Sequence, residues 1–493
     1  MSAIKLVLVF LLWGTISRAD DCNLSQAEIE EIQSYQDVVN QIIEATTNGQ
    51  FKGETFEELA VFVDKFGARL SGTQALEDSI DYLLERMNST FDIENVHGED
   101  VQVPHWERIS EWAEMVEPIS AKIPLLALGG SVSTPEDGIE AEVVVVSSAE
   151  DIHNNYHDAV DGKIVVINYD YHSYGVSVSH RYDAPVAAAN HGAVAVLIRS
   201  VTDFSMDSPH TGQTTYEDGV TKIPAAAITV EHANMLQRRQ ERGENVTIRI
   251  NIQTQTLADA TSRNTVGEIV GSEKPNKVVI VSGHLDSWDV GVGALDDGGG
   301  AFISWYALAV LKSLGLRARR TVRSVLWTAE ENGMAGVKAY DELHKDDLGD
   351  FIFVMESDDG TFTPLGLRFI ANTKGTCILT EILKLLEPIN ATQAVRSTSG
   401  VGSDITIWKD VLPTGSLYNQ NDNYFWYHHT KADTMEALDP DALDRATALW
   451  ASVAYIVADL NEDFPRALTD SGFYASANVF YVVFLSLFGV WFY

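Results

Sequence analysis

Lys277-Val278-Val279-Ile280-Val281-Ser282-Gly283-His284-Leu285-Asp286 is the stretch on which the fold turns. Its unbroken β-branched run suits a strand buried on both faces of a parallel sheet. Downstream of it, helices and strands alternate. A helix is predicted over Gly299–Leu314, a strand over Thr321–Trp327, a helix over Ala335–His344, a strand over Phe351–Met355 and a helix over Cys377–Leu386. A last helix opens at Asp439-Pro440 and runs to Leu460, since Asp caps a helix well and Pro is tolerated at its first position. Strands alternating with helices predict an α/β domain with a doubly wound, mostly parallel sheet.

Upstream, residues 122–258 change character. Short β-branched runs (Val143–Val146, Lys163–Asn168, Ala193–Ile198, Thr247–Ile252) alternate with Gly, Asp and short helical pieces. The helix Val186–His191, stopped by Gly192, leads straight into a strand, which predicts a small α/β module. The histidines of this region (His153, His157, His172, His180, His191, His210) are irregularly spaced and read as surface or structural residues. Glu28–Asn48 and Glu54–Asn88 carry apolar residues at helical spacing, and Val101–Val103 reads as a strand stopped by Pro104. The expected division is a leader at 1–19, the first part of the main domain at 20–121, the inserted module at 122–258, the rest of the main domain at 259–465 and a hydrophobic tail at 470–493.

Composition bounds the function. The 493 residues exceed one ordinary core, and 45% hydrophobic with 21% charged residues reads as globular. A formal net charge of −37 repels phosphate backbones and argues against nucleic acid as a partner. Lys5 followed by the apolar Leu6–Trp13 and small residues to Ala19 reads as a secretory signal peptide, too short to span a membrane. Four glycosylation sequons, at Asn23, Asn88, Asn245 and Asn390, agree with secretion. Only two cysteines, Cys22 and Cys377, argue against a disulfide scaffold and a thiolate zinc site. One bridge and two free thiols are equally open. The last 15 residues, Val479–Tyr493, carry no charge. With Asp470-Ser471-Gly472 ahead of them they resemble a lipid-anchor (GPI) signal, although the spacer is short. The alternative is a tail that packs on the protein or forms a short anchor.

The polar residues of the main domain converge. His284 and Asp286 lie just past the first strand, Glu330 and Glu331 past the second, and Asp358 past the third. That edge of an open parallel sheet is where ligands bind. Histidine nitrogen and carboxylate oxygen are the normal donors to zinc where cysteine is lacking. Two zinc ions about 3.5–4 Å apart need a bridging carboxylate and further ligands on each side. His284, Asp358, Glu331 and His429, with Asp296 as the bridge, supply that number. Glycines at Gly298-Gly299-Gly300 let backbone come close. Asp286 is placed to fix the His284 tautomer, and Glu330, pointing away from its neighbour, to take a proton from water. Each residue alone has a blander reading. Asp296 could be a helix N-cap, Glu330-Glu331 a solvated loop, and His429 a packed histidine, as His428 is expected to be. The combination is what points to metal.

His284-Leu285-Asp286-Ser287-Trp288, Asp296-Asp297-Gly298-Gly299-Gly300, Trp327-Thr328-Ala329-Glu330-Glu331, Met355-Glu356-Ser357-Asp358 and His428-His429-Thr430 followed by Asp433-Thr434-Met435 resemble the co-catalytic zinc peptidases, the family that includes bacterial leucyl aminopeptidase. The resemblance runs from about Glu28 to Asp463 and is closer to the family's carboxypeptidases. It implies that His284 and Asp358 hold one zinc, Glu331 and His429 the other, that Asp296 bridges and that Glu330 is the base. It further implies a protease-associated domain at 122–258, a homodimer, a secreted or lysosomal location, and cleavage of dipeptides with free termini. Asp404, in Gly402-Ser403-Asp404 near Trp408, would lie on the substrate side. The chain departs from the family's pattern in two places. The hydrophobic tail is not expected in a secreted member, and Lys431-Ala432 replaces a histidine-containing sequence, which touches specificity. Competing expectations are an aminopeptidase acting on longer peptides and a non-catalytic receptor on the same fold. A dinuclear phosphoesterase would suit the ligands but not the motif order.

Overall fold

Two eight-stranded sheets organise the described residues of this computed structural model, Cys22 and residues 24–468. The expected leader, the Asn23 sequon and the hydrophobic tail lie outside the described residues. The first sheet holds β1 (Glu94–Val103), β2 (Ala260–Ile269), β3 (Lys274–His284), β4 (Arg320–Trp327), β5 (Phe351–Glu356), β6 (Pro364–Ile370), β7 (Gln393–Arg396) and β8 (Thr414–Asn419). Their spatial order is β1-β2-β4-β3-β5-β8-β6-β7. The centre β4-β3-β5-β8 is parallel, and antiparallel pairings flank it.

The β-branched run of β3 is buried on both faces, as its sequence requires. Val279 and Val281 pack with the helices Gly299–Ser313 and Pro440–Asp459, whose Trp305 and Trp450 are fully buried. Val278 and Ile280 face the other way, onto Val337 and Tyr340 of helix Ala335–Leu343 and onto Trp408. Each such side chain contributes about 1.5–3 kcal/mol on leaving water. Helices on both faces leave only the strand ends free to present polar groups.

The second sheet has the order Ala121–Ile123, Trp106–Glu117, Thr247–Thr256, Ile139–Val146, Ile164–Ile167, Ala195–Arg199, Ala225–Ile228, Leu125–Ala127. The expected boundary at 122 falls inside it, because Trp106–Glu117 already pairs antiparallel with Thr247–Thr256. That strand mixes charged and apolar residues without a β-branched run, so nothing in it marks a change of domain. Likewise Glu54–Asn88 is not one helix. Helices Glu54–Phe66 and Gln74–Glu85 are separated by Gly67 and Gly72, whose φ values of 63° and 81° end the helical path. Cys22 and Cys377 form a disulfide, which settles the two alternatives left by sequence. Asn88, Asn245 and Asn390 are all solvent-exposed. Among the described residues no helix is long and apolar enough to cross a membrane.

Candidate metal centre

His284 ends β3, Glu330 and Glu331 follow β4, and Asp358 follows β5, so adjacent parallel strands deliver them to one edge. Asp296 arrives from the loop that opens helix Gly299–Ser313, and His429 from the loop after β8. The glycines allow this approach. A Cβ on Gly300 would sit 1.9 Å from the Ser357 carbonyl, and one on Gly299 2.0 Å from Thr361 Oγ1. Two non-glycine residues at the site, Ala329 just before Glu330 and His429 itself, adopt left-handed φ values of 55° and 60°. Such conformations cost roughly 1–3 kcal/mol each and collect at functional sites.

The expected ligands meet. His284 Nε2 lies 3.2 Å from Asp296 Oδ1 and 3.3 Å from Asp358 Oδ1. His429 Nε2 lies 3.3 Å from Asp296 Oδ2 and 3.0 Å from Glu331 Oε2. The two oxygens of Asp296 therefore face two different donor groups. Asp296 Oδ2 and Glu331 Oε1 are buried without a hydrogen-bond donor, an arrangement that a cation would satisfy. The histidines are oriented for it. His284 Nδ1 is 3.0 Å from the Asp286 carbonyl oxygen, and His429 Nδ1 is 3.1 Å from the Thr211 carbonyl oxygen, which directs both Nε2 atoms inward. Nitrogen and carboxylate donors in this number fit zinc.

Electrostatics agree with a site built for positive charge. Burial would lower His284, yet the charge of Asp358 and hydrogen bonds to Asp286, Asp296 and Asp358 hold it well above its usual value. Burial, with the charges of Asp358 and Glu331, pushes Glu330 well above the carboxylate range. Glu330 lines the cavity rather than joining the donor cluster.

Asp286 does more than the sequence suggested. Its carboxylate accepts from the backbone amides of Glu330 and Glu331, while its carbonyl holds His284. His428, expected to be packed, stacks on His429 with ring centroids 3.5 Å apart, and its Nε2 comes within 3.6 Å of Asp296 Oδ2. It is a third nitrogen near the bridge, but only His429 also meets Glu331. Burial and the neighbouring His429 keep His428 well below the usual histidine value. Asp404, expected in the substrate pocket, is instead fully buried, and its neighbour Ser403 lines the cavity. The short helix Asp404–Trp408 starting there turns the carboxyl inward, toward Glu356. Lys431 is exposed and does not line the cavity.

Sequence reasoning missed three supports. Asp433 accepts from the amides of Leu295 and Asp296, and Asp297 accepts from those of His284 and Gly300. The buried Arg69 donates to the carbonyls of Leu285, Val292 and Gly293, pinning both loops. Asp297 and Asp433 stood within the quoted motifs without a role of their own, but Arg69 lies more than 200 residues upstream of these partners and carries no local signal. The second sheet's domain also enters the site: Tyr174, Arg181 and Gln213 line the cavity of about 330 Å³ above the donors, and His210 Nδ1 bonds the His428 carbonyl.

A nitrogen-and-carboxylate zinc site at the carboxyl edge of a doubly wound sheet, under an inserted second domain, defines the class of zinc exopeptidases. Residues 264–454 match Peptidase family M28, and residues 134–236 match the PA domain. The chain is 48% identical to Carboxypeptidase Q of Bos taurus over 439 residues, 89% of this chain and 92% of that protein. It is 47% identical to Carboxypeptidase Q of Homo sapiens with the same coverage of each chain, 89% and 92%. The crystal structure of a peptidase M28 precursor from Shewanella amazonensis superposes with a TM-score of 0.82 at 31% identity, covering 88% of this chain and 99% of that one. A zinc aminopeptidase from Bacillus subtilis shares the fold, with a TM-score of 0.62 at 20% identity over 85% and 99% of the two chains. The chain belongs to peptidase family M28. It is a zinc-binding metallopeptidase, and its substrates are peptides.

Proposed function

We propose that this chain hydrolyses dipeptides or short peptides with free termini, with two zinc ions per subunit and Glu330 as general base. The observation that carries this is Asp296, whose oxygens face His284 and Asp358 on one side and His429 and Glu331 on the other. In this reading His284 and Asp358 would hold one ion and His429 and Glu331 the second, with Asp296 available to both. Zinc would supply Lewis acidity toward the scissile carbonyl and lower the pKa of water. Glu330, outside the donor cluster but on the cavity wall, takes a proton from the attacking water and returns it to the leaving amine. Asp286 keeps Glu330 and Glu331 in place through their amides.

Short substrates fit the enclosure. A cavity of about 330 Å³ is at the small end of ligand sites, about 300–1,000 Å³, and the second domain roofs it. The name of the similar mammalian proteins, Carboxypeptidase Q, agrees with a preference for free termini. The division proposed is the expected main domain around a protease-associated insert, with the first boundary moved back from 122 to Trp106, where the second sheet starts. The Cys22–Cys377 disulfide supports an oxidising compartment, hence secretion or a lysosome, with glycans at the accessible sequons. A homodimer belongs to the same reading, as does a lipid anchor at the C-terminus, tested by release with a phosphatidylinositol-specific lipase.

The decisive experiment is activity of the purified protein on a panel of unblocked dipeptides and longer peptides, with and without a chelator. Chelator-sensitive cleavage confined to short unblocked peptides supports the reading. Cleavage of long peptides from the N-terminus makes it an aminopeptidase, and a folded protein inert with zinc makes it a receptor.

A further inference from the structure

Asp359 is the carboxylate of the cavity wall to which the hydrolytic reading gives no role. Asp296, Glu331 and Asp358 belong to the donor cluster and Glu330 to proton transfer, whereas Asp359 lines the same cavity from the loop after β5. The side chains of Asp296, Glu331 and Asp358 are almost fully buried. That of Asp359 is 41% exposed, which puts it at the cavity's mouth. Its loop is held in place. Gly360, which follows it, takes a left-handed φ of 75°, and the Gly360 carbonyl accepts from Asn419 Nδ2 at 3.0 Å, tying the loop to the end of β8.

The charge of Asp359 is weakly matched. Among the described residues its ion-pair partner is Arg368, whose Nη1 stays 3.8 Å from Asp359 Oδ2, beyond hydrogen-bonding distance. Both side chains are open to water, and an exposed pair at that separation contributes little. Arg368 also lies over the Tyr418 ring, 5.4 Å from its centre. The arginine of the cavity wall, Arg181, donates to the Tyr174 hydroxyl and the His210 carbonyl instead. A carboxylate fixed at the mouth of a peptide-binding cavity, with its counter-ion held off, is a receptor for a cation. Beyond its terminus, a peptide brings such a cation as a lysine or arginine side chain. Tyr424, Phe425 and Met334 line the same cavity, so the aliphatic stem of such a side chain meets an apolar wall while its head stays at the wetter mouth. The field of the whole chain acts in the same sense, since a net charge of −37 attracts cationic peptides and repels acidic ones.

We propose that Asp359 receives a basic side chain of the substrate and makes short basic peptides the preferred class. This rests on the exopeptidase reading, to which it adds a substrate class. The α-amino group is common to every unblocked peptide, so the selection made by Asp359 is among side chains.

The test is steady-state kinetics of the zinc-loaded enzyme on paired dipeptides that differ by one charge, lysine against the isosteric norleucine, with the variable residue placed first or second. In at least one order the wild type should prefer lysine by about tenfold in kcat/KM. Asp359→Asn should bring that ratio to within about twofold of unity, chiefly through KM for the lysine peptide, and Asp359→Arg should invert it. Asp359 adjoins the donor Asp358, so a merely structural role would depress both members of a pair together and leave the ratio intact. Should Asp359→Asn fail to fold, Arg368→Gln decides: removing the competing cation should raise the lysine preference by about two- to fivefold, and an unchanged ratio overturns the assignment. A wild-type ratio near unity in both orders, or a lysine preference that survives in the Asp359 variants, overturns it while leaving the exopeptidase standing. A zinc-loaded wild type inert on every dipeptide overturns the exopeptidase reading and this assignment with it.

Discussion

The carboxylate of Asp286 accepts hydrogen bonds from the backbone amide of Glu330 at 3.0 Å and from that of Glu331 at 3.2 Å. One buried side chain after β3 thus positions both acids after β4 and, through its own carbonyl, His284.

Asp286→Asn should therefore act on two elements at once. The replacement keeps one acceptor but turns an NH₂ group toward a backbone N–H, leaving one buried donor unmatched. Outer supports of metal ligands are typically worth about 10–100-fold in activity or metal affinity. We expect kcat/KM to fall by that much and zinc to be lost at lower chelator concentrations, read by kinetics and metal analysis. Wild-type values in both would contradict the bracing role.

Glu330 and Glu331 are neighbours of one residue type, yet they should fail differently. Glu331 Oε2 meets His429, whereas Glu330 faces the cavity and is held well above the usual carboxylate range by burial and by Asp358 and Glu331. Glu330→Gln should lower kcat by about 10²–10⁴ while zinc stays bound. Glu331→Gln should lose metal. If Glu330→Gln strips the zinc while Glu331→Gln keeps it, the two roles are exchanged.

Removing the metals should leave a protein that grows more stable as pH falls from about 9 toward 6. Burial, with the charge of Asp296, raises Asp433 to about 7. An acid raised in the folded state is a liability above that value, and the liability shrinks as pH falls below it toward the unfolded value of 3.8. Burial would lower His429, but Glu331 and Asp296 lift it to about 9. A histidine raised in this way contributes stability that is complete below its unfolded value near 6.5 and is lost as pH rises through 9. Both effects slope the same way. Zinc should reverse the slope, because protons compete with it for His284, His429 and the carboxylates. Thermal unfolding of chelator-stripped and zinc-loaded protein at about pH 6, 7.5 and 9 checks this. A stripped protein whose Tm rises with pH would count against it.

The parallel centre and most of the metal site were legible because they are local. Each strand announces itself by β-branched residues, and its ligand stands within a few positions of its end, as His284, Glu331 and Asp358 do. What was hidden is what acts across the chain. Arg69 supports the loop after β3 from far upstream, Arg181 reaches the cavity from another domain, and Trp106–Glu117 joins the second sheet without a β-branched signal. Asp404 shows how little residue type says about orientation. A residue type suited to binding, in a segment that resembles a substrate loop, is turned into the interior by the short helix it begins.

The disulfide gives a prediction about stability without activity. Cys22 and Cys377 are 355 residues apart in sequence, and their bond ties the chain ahead of helix Gln26–Ser34 to helix Thr373–Lys384. A further polar tether there is the partly exposed pair Lys374–Glu28 at 2.7 Å, and a pair so open to solvent contributes little. Neither cysteine lines the cavity, so the bond has no direct route to the chemistry. Replacing both cysteines by serine should cost about 2–5 kcal/mol, by loosening the unfolded chain's constraint, while kcat/KM at moderate temperature stays near wild type. Ile32 remains the main apolar anchor of the first helix, so the earliest loss should be local. Proteolysis or amide exchange in residues 26–34 should accelerate before the global Tm is reached. A double variant with unchanged Tm and unchanged exchange in that helix would mean that packing alone holds the segment.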